Sequence, residues 1–256
     1  ACPNESASRQ MEKLWQAIQQ ARRLDHNDPV SEWKSHQTFL QEKAAFLNEK
    51  KYKKLHYKAK GTDLTIELPE KHVWAGGGGK TEQGITFIPN MPTEEVFTLP
   101  KKDGVNGVVQ STKPLNYGGN VIENFSFTFE KGRVVDFTAE KGYETLKRLI
   151  ESDDGAKHLG EIALVPHDSP ISNTNLIFFN TLFDENASCH LALGSAYAFC
   201  LEGGSAMTKD ELQANGANQS IVHVDFMIGS EQLDIDGETD DGRIEPIFRQ
   251  GNWAEE

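Results

Sequence analysis

Cysteine is scarce in this chain. Only Cys2, Cys189 and Cys200 occur in 256 residues, and they do not have the spacing of a metal finger. That argues against a disulfide scaffold and favours free thiols in a reducing cytosol. Long apolar runs are missing too. No stretch approaches the roughly 20 residues a membrane helix needs, so no membrane partner is expected. The opening residues, Ala1-Cys2-Pro3-Asn4-Glu5-Ser6, have neither the basic nor the apolar region of a secretory leader. A cytoplasmic protein is the expectation. Positive charge is also short: 26 lysines and arginines face 39 aspartates and glutamates, a formal net charge of −13. Such a balance disfavours a nucleic-acid backbone as partner. The strongest basic run, Lys50 to Lys60, is interleaved with Tyr52, Leu55 and Tyr57 and reads as a solvated strand face.

What is present suits a globular protein, with 37% hydrophobic and 25% charged residues in a chain long enough for one large domain or two small ones. Residues 8–24 carry Met11, Leu14, Trp15, Ile18 and Ala21 at helical spacing, which predicts an amphipathic helix. Asp28-Pro29 supplies a cap and first position for a second helix to about Glu49, with Trp33, Leu40, Ala44, Phe46 and Leu47 on its apolar side. His26 and His36 have no ligand partners at useful spacing and read as surface or packing residues.

From Lys51 the period changes to two. Residues 52–58, 62–68 and 85–88 read as strands, and residues 126–130 and 133–138 as a hairpin around Lys131-Gly132. Helices are expected over 143–152 and 208–214, the second with Thr208 and Glu211 as a capping box. Residues 161–165 read as a short buried strand and 176–183 as another. Residues 186–201 read as an apolar helix with His190, Gly194 and Tyr197 on one face. The glycine run Gly76 to Gly79 before Lys80 has the wrong spacing for a phosphate loop and reads as a turn. The acidic stretch from Asp234 to Gly242 lacks the closing glutamate of a calcium loop. The expected fold class is α/β, with α+β as the alternative: a mixed β-sheet domain with helices at its start.

One stretch concentrates the chemistry. Residues 221–228 form an apolar, β-branched run, so a buried strand is predicted, with His223 and Asp225 on one face. Burying both needs a partner for each, and either a mutual hydrogen bond or a metal ion satisfies that need. Glu94-Glu95, Glu161, Glu185 and His190 are further groups placed where burial is expensive. Carboxylates with imidazoles suit zinc, cobalt or manganese, and several carboxylates can hold two ions. Spacing alone does not show that they converge.

Longer motifs go further. Asn90-Met91-Pro92-Thr93-Glu94-Glu95-Val96-Phe97, Ser111-Thr112-Lys113-Pro114-Leu115 and Glu123-Asn124-Phe125-Ser126-Phe127 resemble segments of the bacterial metallo-aminopeptidases typified by aminopeptidases T and S. So do the stretches from Val135 to Gly142, Gly160 to Pro166, Asn180 to Gly194, His223 to Ser230 and Asp234 to Gly237. The resemblance implies two divalent ions (zinc, cobalt, manganese or magnesium) held by Glu95, Glu161, His190, His223 and Asp225, with Glu185 as a further ligand. It implies a catalytic role for Tyr197, a metal site at strand ends and on the helix carrying His190, and a homodimer. It divides the chain into a helical segment, residues 1–50, packed on a metal-binding catalytic domain, residues 51–256, with the family's N-terminal domain absent.

The activity so implied is removal of the N-terminal residue from a peptide with a free amine. Glu161 is the expected bridging carboxylate. A hydroxide formed from water between the ions would attack the first peptide carbonyl, Glu94 would serve as general base and Tyr197 would donate to the oxyanion. A two-metal hydrolase of another bond, such as a phosphodiester, predicts lysine or arginine beside the ligands. A metal-stabilised binding domain predicts metal without turnover.

Overall fold

The chain from residue 5 to residue 254 is described by a computed structural model; residues 1–4, Cys2 among them, and 255–256 lie outside it. Helix α1 (Ala7–Ala21) is followed by α2 (Pro29–Lys50), which starts where the sequence predicts. The Asp28 carboxylate accepts a hydrogen bond from the Ser31 amide at 3.1 Å, and Pro29 needs no partner in the first turn. Trp33, Leu40, Ala44 and Leu47 of α2 are buried. Helix α1 departs from expectation. Two residues of its apolar stripe stay open to solvent, Met11 at 55% and Trp15 at 56% exposure. Its last turns meet the body, where Ile18 and Ala21 pack with Ile171, Phe183 and Ala187.

All strand pairings among the described residues are antiparallel. The α/β composition expected is present, in an arrangement closer to the α+β alternative. A nine-stranded sheet runs Arg133–Lys141, Asn120–Glu130, Val105–Gln110, Thr62–Glu67, Lys54–Ala59, Asp234–Glu238, Ile244–Arg249 and Asn252–Trp253, with Leu115–Tyr117 paired on Asn120–Glu130. The hairpin around Lys131-Gly132 forms as predicted, both residues taking positive φ (48° and 80°) as a tight two-residue turn requires. A five-stranded sheet runs His223–Met227, His190–Gly194, Leu159–Leu164, Val96–Thr98 and Ala75–Gly76.

The two sheets share one apolar core. Phe125, Phe127 and Phe129 from the larger meet Ile162, Leu191, Leu193 and Phe226 from the smaller. Phe226 is central to that contact, its ring centroid 5.1 Å from Phe127 and 5.9 Å from Phe125. Side chains alternate along a strand, so turning Phe226 into the core turns Asp225 to the opposite face.

Several expectations change. Residues 186–201 are not a helix: His190–Gly194 is a strand and Ala198–Cys200 a single 3-10 turn. Short apolar runs carry no decisive period. Here the ladders on both sides, Ala163 to His190 and His190 to Met227, decide for strand. Residues 176–183 hold no strand and lead into the short helix Thr181–Glu185. The strand expected over 221–228 is shorter, His223–Met227, and lies at a sheet edge with His223 only half-buried. The Tyr143–Ile150 and Lys209–Ala214 helices form, and the Thr208–Glu211 capping box is made. Cys189 and Cys200 are buried free thiols. Among the described residues, no helix is long and apolar enough to cross a membrane.

Phe226→Ala is expected to destabilise the chain by about 3–5 kcal/mol in urea unfolding. A loss under about 1 kcal/mol would show that the aromatic contact does not hold the sheets together.

Candidate metal centre

Register places the polar face of the smaller sheet. Directly opposed residues of antiparallel strands share a face, and Glu161, Ala192 and Asp225 are opposed in one row across three strands. The next row holds Phe97, Ala163, His190 and Met227. His223, two residues before Asp225, and Glu95, two before Phe97, fall on the same side. A bulge sets this alignment. The pairing shifts between Leu159 and Glu161, with Gly160 as the extra residue. A Cβ on Gly160 would sit 2.4 Å from the carbonyl oxygens of Gly194 and Ser195, so no larger residue fits. Ala192 and Ala163 carry only methyl groups among the acids and imidazoles, which leaves room between them.

Two groups of three emerge, one of Glu95, Glu161 and His190 and the other of Glu161, His223 and Asp225; within each, one ligand atom per residue lies within 4.8 Å of the others. His190 Nε2 is 3.2 Å from Glu95 Oε2 and 3.6 Å from Glu161 Oε1. His223 Nε2 is 3.3 Å from Glu161 Oε2 and 3.5 Å from Asp225 Oδ1. On the far side of each ring, Nδ1 faces a backbone carbonyl: Ser188 O at 3.2 Å for His190 and Ser195 O at 2.7 Å for His223. A carbonyl only accepts, so Nδ1 must carry the proton. In the neutral ring, Nε2 then presents a lone pair to carboxylate oxygens that are themselves acceptors. That contact is repulsive unless a cation stands between. A proton or a divalent ion fills the role, and the oxygen–imidazole donor set fits zinc, cobalt or manganese.

The electrostatics of the cluster agree. Burial pushes the His190 imidazole down, but hydrogen bonds and charge from Glu161 and Glu95 outweigh it and hold it well above the usual histidine value. Burial likewise opposes charging of His223, and Asp225 and Glu161 override it, raising its pKa to about 11. Burial raises Glu95 against the pull of His190, whereas Asp225 is held low by His223 and His190 despite its own burial.

These groups lie in a cleft of about 480 Å³. The Gly76–Gly79 loop forms one wall, and Phe97, Tyr197 and Phe199 another. Tyr197 stands 4.9 Å from the His223 ring, ring to ring. It follows the His190 strand instead of sharing a helix face with it. Burial and the surrounding carboxylates raise its hydroxyl to about 12, so it stays protonated. Glu185, at the end of its short helix, lines the cleft outside both groups, its carboxyl pushed up to about 8, chiefly by burial. Glu94 is not in the cleft lining. It is buried against Arg23, whose Nη1 contacts Oε1 and whose Nη2 donates to Oε2 at 2.8 Å, with His36 Nε2 3.3 Å from Oε2. The sequence reading missed this cluster, because an arginine just past a helix and a lone histidine carry no local signal of a partner 71 residues away.

The profile of the family described as thermophilic metalloprotease (M29), Peptidase M29, matches residues 1–253. This chain belongs to the M29 family. The resemblance read from the motifs holds. Similar proteins include aminopeptidase AmpS of Bacillus subtilis, 61% identical over 98% of this chain, and aminopeptidase 2 of Geobacillus stearothermophilus, 59% identical over 95%. A solved structure, wild-type AmpT from Thermus thermophilus, covers 99% of the chain with a TM-score of 0.92 and 46% identity. The chain spans 62%, 59% and 61% of the lengths of these three proteins, respectively.

Two outcomes follow for the M29 site. The raised value of His223 sets a sign. The ordinary pKa is 6.5 and the folded one about 11, so its charged form stabilises the metal-free chain fully below about 6.5, and that contribution is lost as pH rises through about 11. An ion needs the neutral ring, so its uptake near neutral pH should release protons and tighten as pH rises. Calorimetry of the chelator-stripped chain in two buffers of different ionisation heat measures the release, and a buffer-independent heat would contradict it. Ala192→Leu should drive a side chain between Glu161 and Asp225 and abolish tight metal uptake, as read by equilibrium dialysis. Unchanged uptake would mean that the ligands do not meet across that row.

Proposed function

We propose that this chain carries the metal-bearing machinery of an aminopeptidase and hydrolyses the N-terminal residue from peptides with a free amine. The observation that carries this reading is the pair of three-residue groups sharing Glu161 on the floor of a cleft. The names of the relatives, aminopeptidases throughout, support the reaction class. Two divalent ions, zinc, cobalt, manganese or magnesium, are the implied cofactor. Bound there, they would supply Lewis acidity for the peptide carbonyl and a water acidic enough to react near neutral pH.

The residues divide the remaining work. Glu161 has one oxygen toward His190 and the other toward His223, the posture of a carboxylate shared by both groups. The carbonyls of Ser188 and Ser195 hold both imidazoles with Nε2 toward the acids. The acid-rich floor attracts a peptide's amino terminus and favours exopeptidase over internal cleavage. Tyr197 lines the cleft beside His223 and, protonated through the physiological range, would donate its hydroxyl to a developing oxyanion. Proton transfer falls to Glu185 in this reading, in place of Glu94 and in place of the ligand role that the resemblance implies for Glu185. Glu185 is the carboxylate of the cleft lining that stands outside both groups, whereas both Glu94 oxygens are taken by Arg23. No lysine or arginine lines the cleft among the described residues, which disfavours a phosphodiester substrate.

The test pairs metal analysis with one short peptide offered with a free and with an acetylated N-terminus. About two ions per chain, with cleavage of the free peptide alone, is the expected result. Equal cleavage of both peptides would overturn the exopeptidase reading. Two ions without cleavage of either would make the chain a metal-stabilised binding domain.

A further inference from the structure

We infer that Arg23, on the turn after α1, is a positioning residue for the metal centre: it fixes the ligand Glu95 by gripping its neighbour Glu94. The inference rests on the metal-centre reading above and assigns Glu94 an anchoring role.

Glu95 precedes the Val96–Thr98 strand, so its own backbone lies outside the ladder that fixes the other ligands. Something else must hold residues 93–95, and the structure shows three holds. The Glu94 amide donates to Asn186 Oδ1 at 2.7 Å. His36 Nε2 lies 2.8 Å from the Thr93 carbonyl. Arg23 takes both oxygens of Glu94 through its two terminal nitrogens. The fork geometry matters, since two parallel contacts fix direction as well as distance and a point charge does not.

The cluster is ordered internally. Arg23 Nη2 lies 3.2 Å from His36 Nδ1, and a guanidinium only donates, so Nδ1 is the acceptor and Nε2 carries the proton given to Thr93. The guanidinium also lies 5.3 Å over the Trp33 ring. Arg23 itself adopts a left-handed conformation, φ 55°, which side-chain-bearing residues rarely take. Such a conformation persists where its surroundings over-determine it. Here it turns the chain out of α1 and aims the guanidinium at Glu94. The side chains of Arg23 and Glu94 are 11% and 3% exposed, so water does not substitute for either partner.

Alternation along the chain completes the case. Adjacent residues leading into a strand point to opposite sides, so clamping Glu94 away from the cleft sets Glu95 toward His190 and Glu161. The group at stake is Glu95, Glu161 and His190; among the described residues, Arg23 and Glu94 make no hydrogen bond or ion pair to His223 or Asp225. Losing a support behind a ligand typically weakens metal binding by about 10–100-fold.

The experiment titrates cobalt(II) into the chelator-stripped wild-type chain, Arg23→Met and Arg23→Lys, alongside the melting temperature of each stripped protein. The expected result is two ions for wild type. Tight uptake of one of them should weaken by about 10–100-fold in Arg23→Met and by a comparable factor in Arg23→Lys, which keeps the charge and loses the fork. Wild-type cobalt affinity for both ions in the variants, with only a lower melting temperature, would make Arg23 a merely structural residue and overturn the inference. Should Arg23→Met not fold, Arg23→Lys decides by the same criterion. The wild-type arm keeps the two ideas apart: no cobalt uptake there overturns the metal-centre reading, whereas uptake with unaffected variants overturns only the role of Arg23.

Discussion

Carboxylate oxygens and imidazole lone pairs that face one another at 3.2 to 3.6 Å repel unless positive charge lies between them. With Nδ1–H committed to the carbonyls of Ser188 and Ser195, each ring turns Nε2 to the acids, where a proton or a divalent ion must relieve the repulsion. Holding such groups together needs a frame that cannot relax. The frame is the five-stranded sheet, stiffened from behind by the ring contacts of Phe226 with Phe125 and Phe127. The bulge at Gly160 and the small side chain of Ala192 then set the spacing of the acids. Core packing and site chemistry are thus opposite faces of the same strands.

The helices at the start of the chain are part of that frame. A Cβ on Gly77 would lie 2.6 Å from the Gln37 carbonyl of α2, and Gln41 donates to the Gly77 carbonyl at 3.2 Å. One cleft wall therefore rests directly on α2. The turn between α1 and α2 reaches residues 93–95 through Arg23, and α2 reaches them through His36. A helical segment that looks peripheral in sequence supports the cleft at two points.

Much of this was legible beforehand, and the reason differs by residue. His223 and Asp225 were readable because a strand's period of two is local. The second helix was readable because Asp28-Pro29 and the apolar spacing agree. His190 was selected as a ligand by resemblance but set on the wrong element, since the run from Ala187 to Gly194 satisfies helix and strand alike until its neighbours in the sheet are known. Met11 and Trp15 lie on a good amphipathic stripe, yet nothing in the stripe says how much of α1 meets the body. The partnership of Arg23 with Glu94 was invisible for a related reason. It is a long-range charge pair whose members look like solvent residues when read one at a time, and only burial makes them a pair.

Glu161 belongs to both groups of three, and this has a thermodynamic consequence. Two sites that share a ligand do not fill independently: charge arriving at one alters the oxygen left for the other, and the effect is reciprocal. Were each group to hold an ion, occupancy would follow a coupled isotherm, and the half-filled state would be a species with its own affinity. Cells that vary in metal supply would then set both the fraction of chains loaded and which of these species prevails.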